Sequence, residues 1–163
     1  MIVKSALPLS FIIGSRFFGL FIILPVISVY ALELEGATEF LIGVLIGVYA
    51  ISQITFQVVF GYVSDRFGRK RVIVLGLLVF AAGSLVGALA GSVYGLMAGR
   101  ALQGAGAISA AVTALLADQT RDEVRTKAMA LVGASIGLMF ALSLLAAPPL
   151  SAWLGGLSGL FWL

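Results

Sequence analysis

The residues best able to do chemistry in this chain carry charge or offer hydrogen bonds, and they fall into a few tight sets. The densest is Gly61-Tyr62-Val63-Ser64-Asp65-Arg66-Phe67-Gly68-Arg69-Lys70-Arg71, which places an acid four residues ahead of an arginine between two glycines. In a helical backbone that spacing puts Asp65 and Arg69 side by side, and an arginine fork suits a carboxylate. A second set is Arg100 and Gln103, three apart and so neighbours on one helix face. Arg16 is a further cation set in apolar sequence, and Asp118, with Asp122 and Glu123 just after it, is an acid at the end of an apolar run. Tyr30, Gln53, Gln57 and Gln103 are candidate cavity-lining polar groups, each equally well explained as a helix–helix hydrogen bond. None of this makes or breaks bonds. With no Cys and no His, thiol chemistry, the commonest metal ligand and the commonest general base are missing. No catalytic residue, metal site or cofactor is expected.

These residues must be held by elements that lipid tolerates. The chain is 61% hydrophobic and 10% charged, against about a quarter charged in soluble domains, so it has too little polar surface to face water throughout. A helix crossing the hydrocarbon core needs about 20 apolar residues. Five stretches qualify, at 9–31, 40–62, 72–91, 94–117 and 127–149, and together 1–163 read as one N-terminal transmembrane bundle. The fold class is all-α, a polytopic membrane helix bundle. The first run is too long for a signal-peptide core, and no small-residue cleavage site follows it. The closing Gly159-Leu160-Phe161-Trp162-Leu163 reads as the beginning of a sixth span, so the chain is expected to be truncated.

Charge placement orients the bundle. Lys4, Arg66, Arg69, Lys70, Arg71, Arg121, Arg125 and Lys127 all fall on one side of a five-span weave, while Glu33, Glu35 and Glu39 mark the other. The positive-inside rule then puts the N-terminus and both basic loops in the cytoplasm. Arg16 and Arg100 lie within spans that enter from opposite sides, each about 10 Å from its own end at 1.5 Å per residue. That relation suits an inverted repeat. A charge at this depth costs several kcal/mol in lipid and should face a cavity or a partner. Gly104, Gly133 and Gly137, with Ala141, read as close-packing positions between helices. No basic stretch has the polar interleaving of a nucleic-acid groove binder.

The Gly61–Arg71 segment resembles the signature that the major facilitator superfamily carries between its second and third helices, with Gly61, Asp65, Arg66, Gly68, Arg69 and Lys70 at the matching places. Leu96-Met97-Ala98-Gly99-Arg100-Ala101-Leu102-Gln103-Gly104-Ala105-Gly106-Ala107 is similar to the fourth-helix motif of the same family, an arginine followed by Gln-Gly and small residues. The fifth span departs from the exporter pattern, having Ser143 and Ala147 where glycine recurs and Pro148-Pro149 where Gly-Pro closes it. The whole run, including Thr126-Lys127-Ala128-Met129-Ala130, looks like bacterial drug:proton antiporters.

The resemblance implies a twelve-helix, two-half protein of the inner membrane that rocks about a central cavity. Its partners would be a small-molecule substrate, protons, the lipid bilayer and a C-terminal half absent here. It also implies that Asp118 pairs with the arginine of the loop signature. Proton-coupled efflux of a small organic solute or drug is the leading expectation. A sugar or metabolite symporter or facilitator stays open, as does a non-transporting sensor or assembly subunit, though a mere anchor needs neither the loop signature nor Arg100.

Overall fold

The structure is a computed structural model and describes residues 2–163, with side chains described from residue 6 onward. Eight α-helices follow one another: α1 (Ile2–Phe21), α2 (Leu24–Tyr30), α3 (Glu39–Phe67), α4 (Arg69–Ala88), α5 (Val93–Ala105), α6 (Ser109–Gln119), α7 (Asp122–Leu154) and α8 (Leu157–Phe161). Taken across short interruptions they give five helical segments long and apolar enough to cross a membrane: Ala6–Glu33, Glu39–Phe67, Arg69–Ala88, Val93–Gln119 and Asp122–Leu154. The fold is an all-α bundle of antiparallel spans, as the apolar windows imply, and it is multi-pass.

Local chemistry sets the ends. Thr38 caps α3 by accepting from the Leu41 amide at 3.2 Å, and Ser92 caps α5 by accepting from Gly95 at 3.3 Å. Asp122 and Glu123 occupy the first turn of α7, where a helix dipole favours acids. Between α3 and α4 the chain reverses at a single residue, Gly68, whose φ of 93° an L side chain rarely adopts. The spans also differ from their apolar windows. α3 continues beyond residue 62 to Phe67, carrying the loop signature's Asp65 on helix, and α7 runs through both Pro148 and Pro149 to Leu154.

The fourth span, expected as one helix, is broken at residues 106–108. Gly106 sits against α4 so tightly that a Cβ there would stand 2.4 Å from the Gly76 carbonyl oxygen. The helix face that carries Arg100 and Gln103 therefore ends at the break, although Ala107 and Ala111 beyond it are both buried.

Span four is the most buried of the five and touches α1, α3, α4 and α7. Lipid tails are as apolar as leucine, so these helices associate through close packing rather than hydrophobic drive. The tightest crossing is α4 on α5: a Cβ on Gly83 would lie 2.4 Å from the Gln103 amide nitrogen, and one on Gly99 would lie 2.7 Å from that of Gly87. Gly104 meets α3 equally closely, its Cβ position falling 2.4 Å from the Tyr49 carbonyl oxygen.

Gly133 and Gly137 do not follow Gly104. Nothing lies within 4 Å of either Cβ position, so among the described residues the expected packing ridge on α7 has no partner. Their face of α7 turns outward because α7 packs on α1 through its opposite side, where Ala128, Val132, Ser143 and Ala147 are buried.

Two apolar cores result. One, at the end bearing the basic residues, joins Leu9, Ile13, Val72, Ile73, Leu116 and Val132. The other, at the acidic end, joins Ile23, Ile27, Leu45, Leu96, Leu160 and Phe161. In the chain order of each helix, Arg16, Tyr49 and Arg100 fall between these cores.

Candidate functional site

Two polar sites stand out, one at the basic end and one between the cores. At the basic end the single-residue reversal at Gly68 brings the close of α3 onto the start of α4. Arg69 donates from Nη1 to Asp65 Oδ1 at 2.7 Å and from Nε to Asp118 Oδ2. Its Nη1 also reaches Ser64 Oγ at 3.3 Å, and that hydroxyl in turn donates to the Gly61 carbonyl at 2.7 Å. One guanidinium thus ties the ends of the second, third and fourth spans.

Arg69 is 24% exposed at its side chain, against 62% for Asp65 and 55% for Asp118, so the bridge faces water. Each such contact contributes about 0–1 kcal/mol. The rest of the loop signature points elsewhere. Arg66 stacks over Tyr62 at 4.6 Å, and Lys70 borders an apolar groove with Pro8, Leu9 and Ile73. At Gly61 a Cβ would make only an ordinary 3.8 Å contact with Ala110. Asp122, adjoining Asp118 in sequence, pairs instead with Arg125 at 2.6 Å.

Between the cores, Arg16 and Arg100 converge on one residue, Tyr49. Arg16 Nη2 donates to the Tyr49 hydroxyl at 3.3 Å, and the Arg100 guanidinium lies 4.6 Å from the centre of the same ring. Arg16 is also flanked by Phe17 at 5.7 Å and Phe80 at 5.3 Å. Arg100 Nη1 donates to Gln103 Oε1 at 2.9 Å, and Gln103 Nε2 donates to Ser84 Oγ at 2.8 Å. Both arginines were expected, as candidate cavity-lining residues, to face a cavity or a partner. Within this chain they are 3% and 1% exposed, and both meet a partner on a neighbouring helix, Tyr49.

The other cavity candidates disperse. Tyr30 lies at the acidic end, its ring 3.4 Å from the Cβ position of Gly156. Gln53 and Gln57 are half-buried on α3 on successive turns beyond Tyr49, and neither enters the contacts of the two arginines.

Tyr49 and Ser84 escaped the sequence reading. Tyr49 is a phenol in the middle of a long apolar run, a placement that marks a buried hydrogen-bond partner. The glycine pair Gly83 and Gly87, four apart, was a legible sign of a close crossing beside Ser84.

Residues 9–163 match the model of the Major Facilitator Superfamily. The chain is 52% identical over 148 residues to the inner membrane transport protein YajR of Escherichia coli strain K12, covering 91% of this chain and 32% of that protein. It is 39% identical over 128 residues to multidrug resistance protein 2 of Bacillus subtilis strain 168, covering 76% and 31%. Against the class B tetracycline resistance protein of Escherichia coli it is 33% identical over 143 residues, covering 86% and 35%. The chain therefore spans about a third of the length of the curated relatives it matches. With the loop signature, the five apolar spans and a family match over nearly all its residues, the chain belongs to the Major Facilitator Superfamily.

Proposed function

We propose that this chain is the N-terminal part of a secondary transporter of the inner membrane that moves a small organic solute or drug outward in exchange for protons. Its basic end lies in the cytoplasm with the N-terminus, and a C-terminal half supplies the other wall of a central cavity. The observation that carries this reading is the bridge from Arg69 to Asp65 and Asp118. A charge network spanning three helix ends is a device for holding one end of a bundle shut, and a membrane anchor has no use for it. Relatives named for multidrug and tetracycline resistance support a drug as the solute.

The bridge suits a switch because it is weak. Moving a conformational equilibrium tenfold takes about 1.4 kcal/mol, which two or three exposed charge contacts can supply and thermal motion can undo. Proton coupling would fall to an acid at a span end, as Asp118 is, or outside these residues, because none of the chain's acids lies deep within a span. The test is flux by the full-length protein in proteoliposomes, with and without an imposed proton gradient, against a panel of drugs and sugars. Gradient-driven export of an organic solute is expected. Sugar uptake, or flux indifferent to the gradient, would overturn the reading.

A further inference from the structure

The first turn of α4 holds three cations in succession, and only one of them meets an acid. Arg69 is bridged to Asp65 and Asp118, whereas neither Lys70 nor Arg71 forms an ion pair among the described residues. Both of these residues are exposed. The helix end beneath them sharpens the imbalance. α4 has no acid in its first turn and no side chain capping it, so its positive pole adds to the two charges instead of offsetting them.

Directly below, the same face of α4 turns apolar. Val74, Leu75 and Leu78 are all exposed, and with Lys70 and Arg71 they line an open groove of about 450 Å³. The buried residues of α4 are Val72, Ile73, Gly76, Gly83, Gly87 and Ala88, and the helical repeat puts the three glycines on the side away from Arg71, Leu75 and Leu78. The groove therefore opens away from the bundle. Its depth follows from the length of the helix. α4 has 20 residues, about 30 Å at 1.5 Å per residue, which matches the hydrocarbon core. Lys70 and Arg71 then stand at the level of the lipid phosphates, and Val74 and Leu78 lie one and two turns into the acyl region.

We propose that Lys70, Arg71 and the groove of Val74, Leu75 and Leu78 bind one anionic phospholipid, with its phosphate at the two cations and an acyl chain along the groove. Charge selects this occupant. A zwitterionic headgroup brings a cation to a place that already has an excess, and a soluble anion would leave the groove bare. The site requires only that α4 cross the bilayer, so it stands or falls separately from export.

Native mass spectrometry of the full-length protein in detergent, at fixed ionic strength, tests it by counting the lipids bound as phosphatidylglycerol or phosphatidylcholine of identical chains is added. A Lys or Arg near a membrane surface favours an anionic lipid about fivefold, so two should make the first phosphatidylglycerol bind at least about tenfold tighter than phosphatidylcholine. Lys70→Gln and Arg71→Gln should each cut that preference about fivefold. Lys70→Arg and Arg71→Lys keep the charge and should keep the preference, which guards against a misfolded glutamine variant. Leu75→Ser combined with Leu78→Ser keeps both charges, strips the groove and should weaken phosphatidylglycerol binding. Arg121→Gln removes a charge at the start of α7 and should leave the preference unchanged.

Equal affinity for the two lipids, or an equal loss in Arg121→Gln, would overturn the proposal in favour of diffuse attraction to a basic surface. So would an unchanged preference in the glutamine variants, its loss in the charge-keeping exchanges, or full binding after the groove is stripped. Displacement of the lipid by excess glycerol phosphate would replace it with a soluble-anion site.

Discussion

Arg69 does three things with one side chain, and the arrangement makes its two acids unequal. Asp65 is on the preceding turn of sequence, and its pairing needs only that Gly68 hold the reversal. Asp118 comes from a different span, so its pairing reports the distance between helix ends. Asp65→Asn should therefore change turnover less than Asp118→Asn, which cuts the link between spans. Each change is expected to be within about tenfold, because the contacts face water. Initial rates of flux by the two variants, normalised to inserted protein, check the order. Much of this was legible in the sequence: an acid four residues before an arginine, framed by Gly61 and Gly68, indicates a local pair. That Asp118 completes it was implied by resemblance, and what brings it there is the packing of span four, which no spacing encodes.

At the scale of elements, the glycines divide by what they face. Gly83, Gly99 and Gly104 stand where a Cβ would meet backbone at 2.4–2.7 Å, and backbone cannot move aside as a side chain can. Gly83→Ala or Gly99→Ala should push α4 from α5, open the layer holding Arg100 and cost about 1–3 kcal/mol or more by overpacking. Gly133→Ala and Gly137→Ala meet nothing within 4 Å and should leave the bundle's own stability unchanged. Thermal unfolding of the four purified variants in detergent distinguishes the two sets, and equal midpoints would remove the packing account. The sequence showed small residues in every span but not which had a partner, because a glycine facing a helix and one facing outward are written alike. The break at residues 106–108 was hidden for the same reason: it follows from Gly106 meeting Gly76 across two spans.

Across the whole molecule, the five spans form a wall with polar equipment at two depths. A weak charge bridge joins three helix ends, and an arginine pair lies between two apolar cores. Hydropathy and charge placement made the spans and their alternation readable, since lipid leaves helices little choice. They could not show that both buried arginines turn inward to one tyrosine, because Tyr49 is distant from each in sequence. On the proposed function, the bridge from Arg69 to Asp65 and Asp118 holds the basic end closed during transport. The most direct test is flux by the full-length protein in four forms: wild type, Arg69→Asp, Asp118→Arg and the double exchange. Labelling of a cysteine placed at the basic-end mouth of the cavity is followed alongside. Each single change should slow export and raise labelling, and the double should recover much of both, because swapping the partners restores an opposite-charge pair. A double exchange no better than the worse single, with labelling unchanged in all four, would contradict the claim and leave the basic residues as an anchor at the lipid headgroups.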